Sequence, residues 1–537
     1  MSRRPSNLVY VRYAGFALFL VGVVGFVLSV FLGLYRITDD TFAGLTASGV
    51  VKEQHRSALY GELAALQDRD YRSTMRFLAD VDRAIGEAND RLDDGNKIWD
   101  YDRGQYQYWI AHAAGTGPVA EGERAWFLAS FVLASLGALV FFLARLGLET
   151  AGIRNDGIYF SAVKSRGLIG IALGLFLVAF YVGVYFHPAY IVEWIRLADP
   201  VSQALRRRPA DQWFFYGLLY TFAVLVMGVR MLVQYRHSPY HIVRTGSIMF
   251  FQLGFAFIIP AVLAALNRPA YDFKNAWPLD YSFFYSYRLD SYTSGGALGW
   301  LILVWGIVLA LLIVPLFSYL FGKRWYCSWV CGCGGLAETL GDPFRHLSDK
   351  RLRAWRVERW IVHGVLIFAV MLTTIVLVSY FSARTGAPLL GDLTWRVQSW
   401  YGFLISSIFA GVVGTGFYPL MGNRVWCRFG CPLAAILGLV QRFRSRFRIT
   451  TNGGQCISCG NCSTYCEMGI DVRWYAQRGQ NIVRASCVGC GICAAVCPRG
   501  VLRLENGPTG DRINEAGLLQ IGGGTGEDSL RSFNRPV

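Results

Sequence analysis

The sequence predicts a mainly α-helical, polytopic membrane bundle with a small helical domain on one side and a cysteine-rich domain at its C-terminal end. Three observations carry this. Apolar residues make up 54% of the 537 residues and charged residues only 16%, against about 25% charged in soluble domains. Uninterrupted apolar runs of bilayer-spanning length recur along the chain. All 13 cysteines fall from Cys327 onward, in tight clusters.

A helix needs about 20 apolar residues to cross a bilayer. Eight such runs are present, near 14–34, 125–144, 167–187, 212–230, 245–267, 295–321, 360–382 and 399–421. None holds an Asp or Glu, which argues against an ion or proton pump, where buried carboxylates are usual. The first run is too long for a signal peptide and reads as an anchor. The net charge of +16 would suggest nucleic acid in a soluble protein,. Here the basic residues crowd alternate loops, the positive-inside pattern, and no nucleic-acid module follows. Arg3, Arg4 and Arg12, then Arg145 to Arg166, Arg230 to Arg244, Lys323 to Arg353 and Arg424 to Arg448 all fall on one side. That places both termini in the cytoplasm and the chain in a bacterial inner membrane. Within this side, 344–359 reads as a solvated loop. The outside loop 188–211 dissents through Arg206, Arg207 and Arg208. It reads as headgroup-contacting, through an interfacial helix, with docking of an acidic partner as the other reading.

Residues 35–124 form an outside segment. Tyr71, Met75, Leu78, Val81, Ile85, Ala88 and Leu92 recur at helical spacing until Asp93-Asp94-Gly95 breaks the pattern,. The chain thus divides into an anchor (1–34), an outside helical domain (35–124), spans two to four (125–244), a core carrying the first cysteines (245–448), a cysteine-rich domain (449–503) and a Gly-rich flexible tail (504–537).

The strongest signal is Cys456-x2-Cys459-x2-Cys462-x3-Cys466, followed by Cys487-x2-Cys490-x2-Cys493-x3-Cys497-Pro498. This is the two-cluster bacterial ferredoxin pattern. Three thiolates two residues apart wrap one [4Fe–4S] cubane, and the fourth cysteine of each run ligates the other cluster. The spacing assigns Cys456, Cys459, Cys462 and Cys497 to one cluster, and Cys487, Cys490, Cys493 and Cys466 to the second. Gly460, Gly489 and Gly491 suit the turns. The first run carries Glu467 where the second has Pro498. Zinc and disulfides fit less well, given four cysteines per run and a cytoplasmic placement.

Five cysteines remain: Cys327, Cys331 and Cys333 after the sixth run, and Cys427 and Cys431 after the eighth. Each group contains a Cys-x3-Cys pair, and residues four apart share a helix face. Cys327, Cys331, Cys427 and Cys431 are the candidate reactive thiols. With Cys333 they would hold a third metal centre at the membrane face, a copper or zinc ion, or a redox-active dithiol; unligated thiols at a helix contact are the plainer alternative.

At these residues the sequence resembles the NapH/NosR-type membrane polyferredoxins, with the FixG-type proteins as more distant relatives. The resemblance covers roughly 245–500 and includes Trp325-Tyr326-Cys327-Ser328-Trp329-Val330-Cys331 and Trp426-Cys427-Arg428-Phe429-Gly430-Cys431-Pro432. It departs at Gly332-Cys333-Gly334-Gly335, where proline is absent, and in lacking a flavin-binding outer domain. The resemblance implies an iron–sulfur electron-transfer protein, a redox subunit linking a quinone or a cytoplasmic donor to respiratory, oxidase or maturation partners. The alternative is a copper-reducing assembly factor for an oxidase. His237, His241 and His363 are span-end histidines: a quinone site beside His363 or His241 is the better reading, and haem b the poorer one.

Overall fold

The computed structural model describes residues 6–153, 166–385, 391–443, 446–452 and 455–506. The tail and the cations Arg3, Arg4, Arg154, Lys164 and Arg444 lie outside the described residues. Eight helices are long and apolar enough to cross a membrane: Asn7–Ser29, Glu123–Leu148, Leu168–Phe186, Gln212–Gln234, Pro239–Ala265, Gly296–Leu320, Leu352–Arg384 and Asp392–Gly416. The seventh helix begins eight residues before its apolar run. Its first turns hold Glu358, buried against Arg428 at 2.8 Å. The eighth helix ends at Gly416 and a separate short helix follows at Tyr418–Met421.

The first and second spans touch backbone to backbone. A Cβ on Gly15 would lie 2.7 Å from the Phe141 nitrogen. Small residues let membrane helices approach this closely, where lipid offers no hydrophobic drive. Four spans contain π-helical turns, at Leu128–Val132, Phe251–Ile258, Leu309–Ile313 and Tyr401–Val413.

Between the first two spans stand four helices of ten residues or more, Asp39–Ser48, Glu53–Ala64, Thr74–Asp90 and Asp100–Ala113. The apolar face of 74–90 buries Phe77, Leu78, Val81 and Ile85. Loop 188–211 is not a lipid-facing element. Val192, Ile195, Leu197 and Ala210 are buried in the core of this outer domain. Tyr108 donates to the Ala210 carbonyl at 2.7 Å, and His112 meets Asp199 at 2.8 Å. Of the three arginines, Arg206 is buried and ion-paired to Asp211 at 2.8 Å, and Arg207 and Arg208 face outward. A buried partner carboxylate explains what a count of charges could not.

After the spans come two strands, Phe447–Thr451 and Leu502–Asn506, paired antiparallel with Ile449 opposite Leu504. They bracket the two cysteine runs. Gly460 and Gly491 adopt φ of 79° and 78° and start the matching short helices Asn461–Thr464 and Ile492–Ala495. A left-handed residue costs glycine nothing, which is why the third thiol of each run follows it by two positions.

Candidate iron–sulfur centre

Both Cys-x3-Cys pairs depart from the single-helix expectation. Cys327 lies in the helix Trp325–Trp329, but Cys331 is extended (φ −66°, ψ 131°) and precedes a new helix, Gly332–Thr339. Cys427 lies in Trp426–Gly430, and Cys431 is extended (φ −82°, ψ 115°) before the helix Pro432–Phe443. Proline explains the second break. The residue before it is pushed out of the helical region, and proline itself suits a first helical position. Gly332 occupies the equivalent place in the first motif. The turn, rather than a shared helix face, aims each pair of thiols inward.

These thiols sit deeper than the ends of their spans. Trp426 packs its ring on Phe409, 5.7 Å between centroids. Phe409 is seven residues, about 10 Å, inside the eighth span. From the opposite end, the loop joining the fifth and sixth spans folds back between the helices. Trp305, midway along the sixth span, donates to the Phe273 carbonyl at 2.7 Å, and Trp277 donates to Thr373 of the seventh at 2.9 Å. Tyr326 donates to the Lys274 carbonyl. Residues 274 and 326 flank a 25-residue helix, about 37 Å long. Their contact requires both flanking segments to re-enter the bundle. Such irregular backbone is tolerated at membrane depth only when enclosed by protein, and Lys274, Ala276, Tyr326, Cys327 and Cys331 are all buried.

The cysteines are all free, and all but Cys459 lie in or against one core. Cys327 is within electrostatic reach of Cys331, Cys427 and Cys431. Cys456, Cys459, Cys462 and Cys497 line one small cavity. Cys493 is within electrostatic reach of Cys490, Cys487 and Cys466, and also of Cys462. The Ile470 N–H points at the Cys466 Sγ, 3.4 Å away. Among the described residues, three ligand-type atoms come within 4.8 Å of one another only at Glu338, Glu467 and Cys490. The Glu338–Glu467 group is not a metal site, because arginines occupy it.

That cluster of charges is what sequence reasoning missed. Glu338, after the sixth span, is gripped by both Arg244 nitrogens at 3.0 and 2.9 Å and by Arg424 at 2.6 Å. Glu467, from the ferredoxin run, is bonded by the same Arg424 at 3.1 Å, by Asn423 at 3.2 Å and by Arg345 at 3.6 Å. Arg345 also holds Asp342 at 2.8 Å, which pairs with Arg230 at 2.7 Å. Glu467 is 1% exposed and Arg244 0%. Burial pushes the Glu467 carboxyl up, but Arg424 and then Arg345 overcome it and hold it at about 2. Arg424 also donates to the Cys327 carbonyl at 3.0 Å and approaches the Cys427 Sγ at 3.7 Å. One guanidinium therefore joins both membrane thiol motifs to the ferredoxin domain. The stretch 344–359 is accordingly not a plain solvated loop. The only available signal was Glu467 standing where the second run has proline.

Further donors from the span ends fix the cysteine loops. Lys323 reaches the Ile482 carbonyl at 2.8 Å, Ser328 the Val488 carbonyl at 3.0 Å, Tyr240 the Gly489 carbonyl at 2.7 Å and Ser348 the Glu467 carbonyl at 2.7 Å. His241 is buried against Ser238 at 2.7 Å and stacked on Tyr235; His363 is half-buried. Neither lines the two large cavities near the thiols. One is a cleft of about 540 Å³ between the fifth and sixth spans, walled by Phe251, Phe255, Phe317, Trp325 and Trp329 and reaching Gly489. The other, about 310 Å³ and the more polar of the two, reaches Cys331 and Cys333. Three of the four π-helical stretches within the spans contribute walls to these cavities.

Comparison with known proteins agrees with this geometry. A 4Fe-4S dicluster domain matches residues 455–502, and a 4Fe-4S binding domain matches 300–352 and 401–450, the segments that carry the two membrane motifs. Over these segments the chain is similar to membrane proteins of the polyferredoxin type. YccM of Escherichia coli, named for a suspected role in electron transport, is 27% identical over 195 residues, 35% of this chain and 51% of that protein. The methylamine utilization ferredoxin-type protein MauN of Paracoccus denitrificans is 30% identical over 181 residues, 31% and 56% of the two chains. The regulatory protein NosR of Stutzerimonas stutzeri is 26% identical over 158 residues, 28% and 20%. The matched region thus spans about half the length of YccM and MauN. No solved structure matches the chain.

Proposed function

We propose that this polyferredoxin conducts electrons between two [4Fe–4S] clusters in its C-terminal domain and a third iron–sulfur centre held inside the bundle. The observation that carries this is the single buried core shared by the two ferredoxin runs and the two membrane motifs, bridged by Arg424. Cys456, Cys459, Cys462 and Cys497 would hold one cluster, and Cys487, Cys490, Cys493 and Cys466 the second. Cys327, Cys331, Cys427 and Cys431 would hold the third, with Cys333 beside it. Iron–sulfur clusters supply one-electron uptake and release, at a potential set by charge, hydrogen bonds and exposure. The chain's residues do the rest. Arg424, Arg244 and Arg345 place positive charge between the centres. Backbone N–H groups point at sulfur, and apolar walls exclude water.

On the positive-inside pattern the termini and ferredoxin domain face the cytoplasm of an inner membrane. The redox partner within the membrane is a quinone. Two cavities near the thiols support this, while His241 and His363 do not line either. A respiratory or maturation protein takes the other end. A copper-handling role is the weaker fit, because the segments that carry the membrane thiols match a 4Fe-4S binding domain. The test is EPR on anaerobically purified protein with a reduced quinol analogue. Reduced-cluster signals after quinol are expected. Signals with dithionite alone would remove the quinone link and point to a cytoplasmic donor.

A further inference from the structure

The two cavities differ in chemistry. The larger cleft is almost wholly apolar and suits an alkyl chain. The smaller one brings polar groups to a point. A Cβ placed on Gly332, between Cys331 and Cys333, would lie 3.2 Å from Gln252 Oε1, 3.5 Å from Lys274 Nζ and 3.7 Å from Tyr220 Oη. These three come from the fifth span, the re-entrant loop and the fourth span. Gln252 spends its amide N–H on Thr221 at 3.2 Å, which leaves its oxygen facing the cavity. Lys274 is anchored by Asp272 at 2.9 Å, so the pair is neutral overall. The Trp426 indole N–H, also on the cavity wall, is buried without a partner. Gathering an acceptor, an ammonium and a phenol in a membrane interior costs free energy unless something uses them.

We propose that this cavity binds the uncharged head of a quinol, with Gln252 accepting from its hydroxyl and Lys274 and Tyr220 donating to its oxygen. The inference rests on the quinone reading and deepens it. The chemistry follows from the donor set. An anion would find no net positive charge, and an apolar ring would offer the Gln252 oxygen no donor. The aromatic walls, Tyr185, Tyr216, Tyr281 and Tyr401 among them, suit a flat ring,. Gly332 is glycine because a methyl group would occupy the ligand's place.

The test is photo-crosslinking of the full chain in detergent with an azidobenzoquinone, competed by excess tetramethylbenzoquinone and mapped by mass spectrometry. The expected result is competable adducts on peptides containing Tyr220 or Tyr281, which line only the smaller cavity. They should fall at least about tenfold in Gly332→Ala, which fills the cradle, and in Gln252→Leu, which removes the acceptor. Iron content and the dithionite EPR signal check that each variant is assembled. If Gly332→Ala loses iron, Gln252→Leu decides. Adducts confined to the peptides of Phe251, Phe255 or Trp325, unchanged in both variants, would overturn this site and leave the quinone reading standing. No competable adduct anywhere would overturn the quinone reading itself, and this site with it.

Discussion

Glu467 makes the sharpest prediction. By motif alone it is an irregularity, and Glu467→Pro would make the first cysteine run match the second. In the structure it is the ferredoxin domain's anchor in the bundle. Around it, Arg244, Arg345 and Arg424 face Glu338 and Glu467. Removing Glu467 leaves four buried guanidiniums, Arg230, Arg244, Arg345 and Arg424, against two acids, Glu338 and Asp342. Breaking a buried pair from one side costs about 3–5 kcal/mol, because the remaining charge is stranded. At 1.4 kcal/mol per tenfold, the undocked population should rise by about two to three and a half orders of magnitude. Native-state proteolysis of the ferredoxin domain reads that population when closing outpaces cleavage. Glu467→Gln keeps the shape and should show the rise; Glu467→Pro should show it too, despite its more regular motif. Cleavage of Glu467→Gln at the wild-type rate would refute the claim that this network docks the domain.

Other outcomes follow from the same structure. Cys427→Ser or Cys431→Ser should abolish quinol-linked reduction and lower iron content by one cluster, while both ferredoxin EPR signals persist; full activity in both would make the motif structural. Cys497→Ser should remove the cluster shared with Cys456, Cys459 and Cys462, and loss of the other one alone would exclude the crossed assignment. Gly334→Ala should cost the third centre, since its Cβ would overlap the Cys327 carbonyl oxygen; an unchanged iron count would argue otherwise. In the outer domain, burial holds the His55 imidazole below its ordinary value, with its nitrogens bonded to Tyr106 at 2.8 Å and the Asn96 carbonyl at 3.0 Å. A lowered folded value means the unfolded chain binds the proton more readily. The domain should therefore lose stability as pH falls below about 6.5, and His55→Phe should flatten that dependence in protease-resistance measurements.

Much of the molecule was legible in its residues. Eight spans follow from apolar run length, because a bilayer's thickness is a fixed ruler. The dicluster domain follows from Cys-x2-Cys-x2-Cys-x3-Cys, because sulfur geometry around a cubane fixes the spacing locally. The helix at 74–90 follows from its period. The arginines misled. Arg206, Arg230, Arg244, Arg345 and Arg424 counted as topology signals or solvated charge, yet all are buried against carboxylates. Their partners lie from 3 to 112 residues away in sequence, and ion pairing at that range has no period or motif. The depth of the thiols was likewise hidden. Tyr326 and Lys274 stand on opposite sides of a span, and nothing in run lengths shows that both segments turn back into the bundle. Local spacing determined which atoms can ligate. Tertiary packing alone decided that all of them but Cys459 share one interior, because burying a charge or an irregular loop in a membrane is a property of what surrounds it.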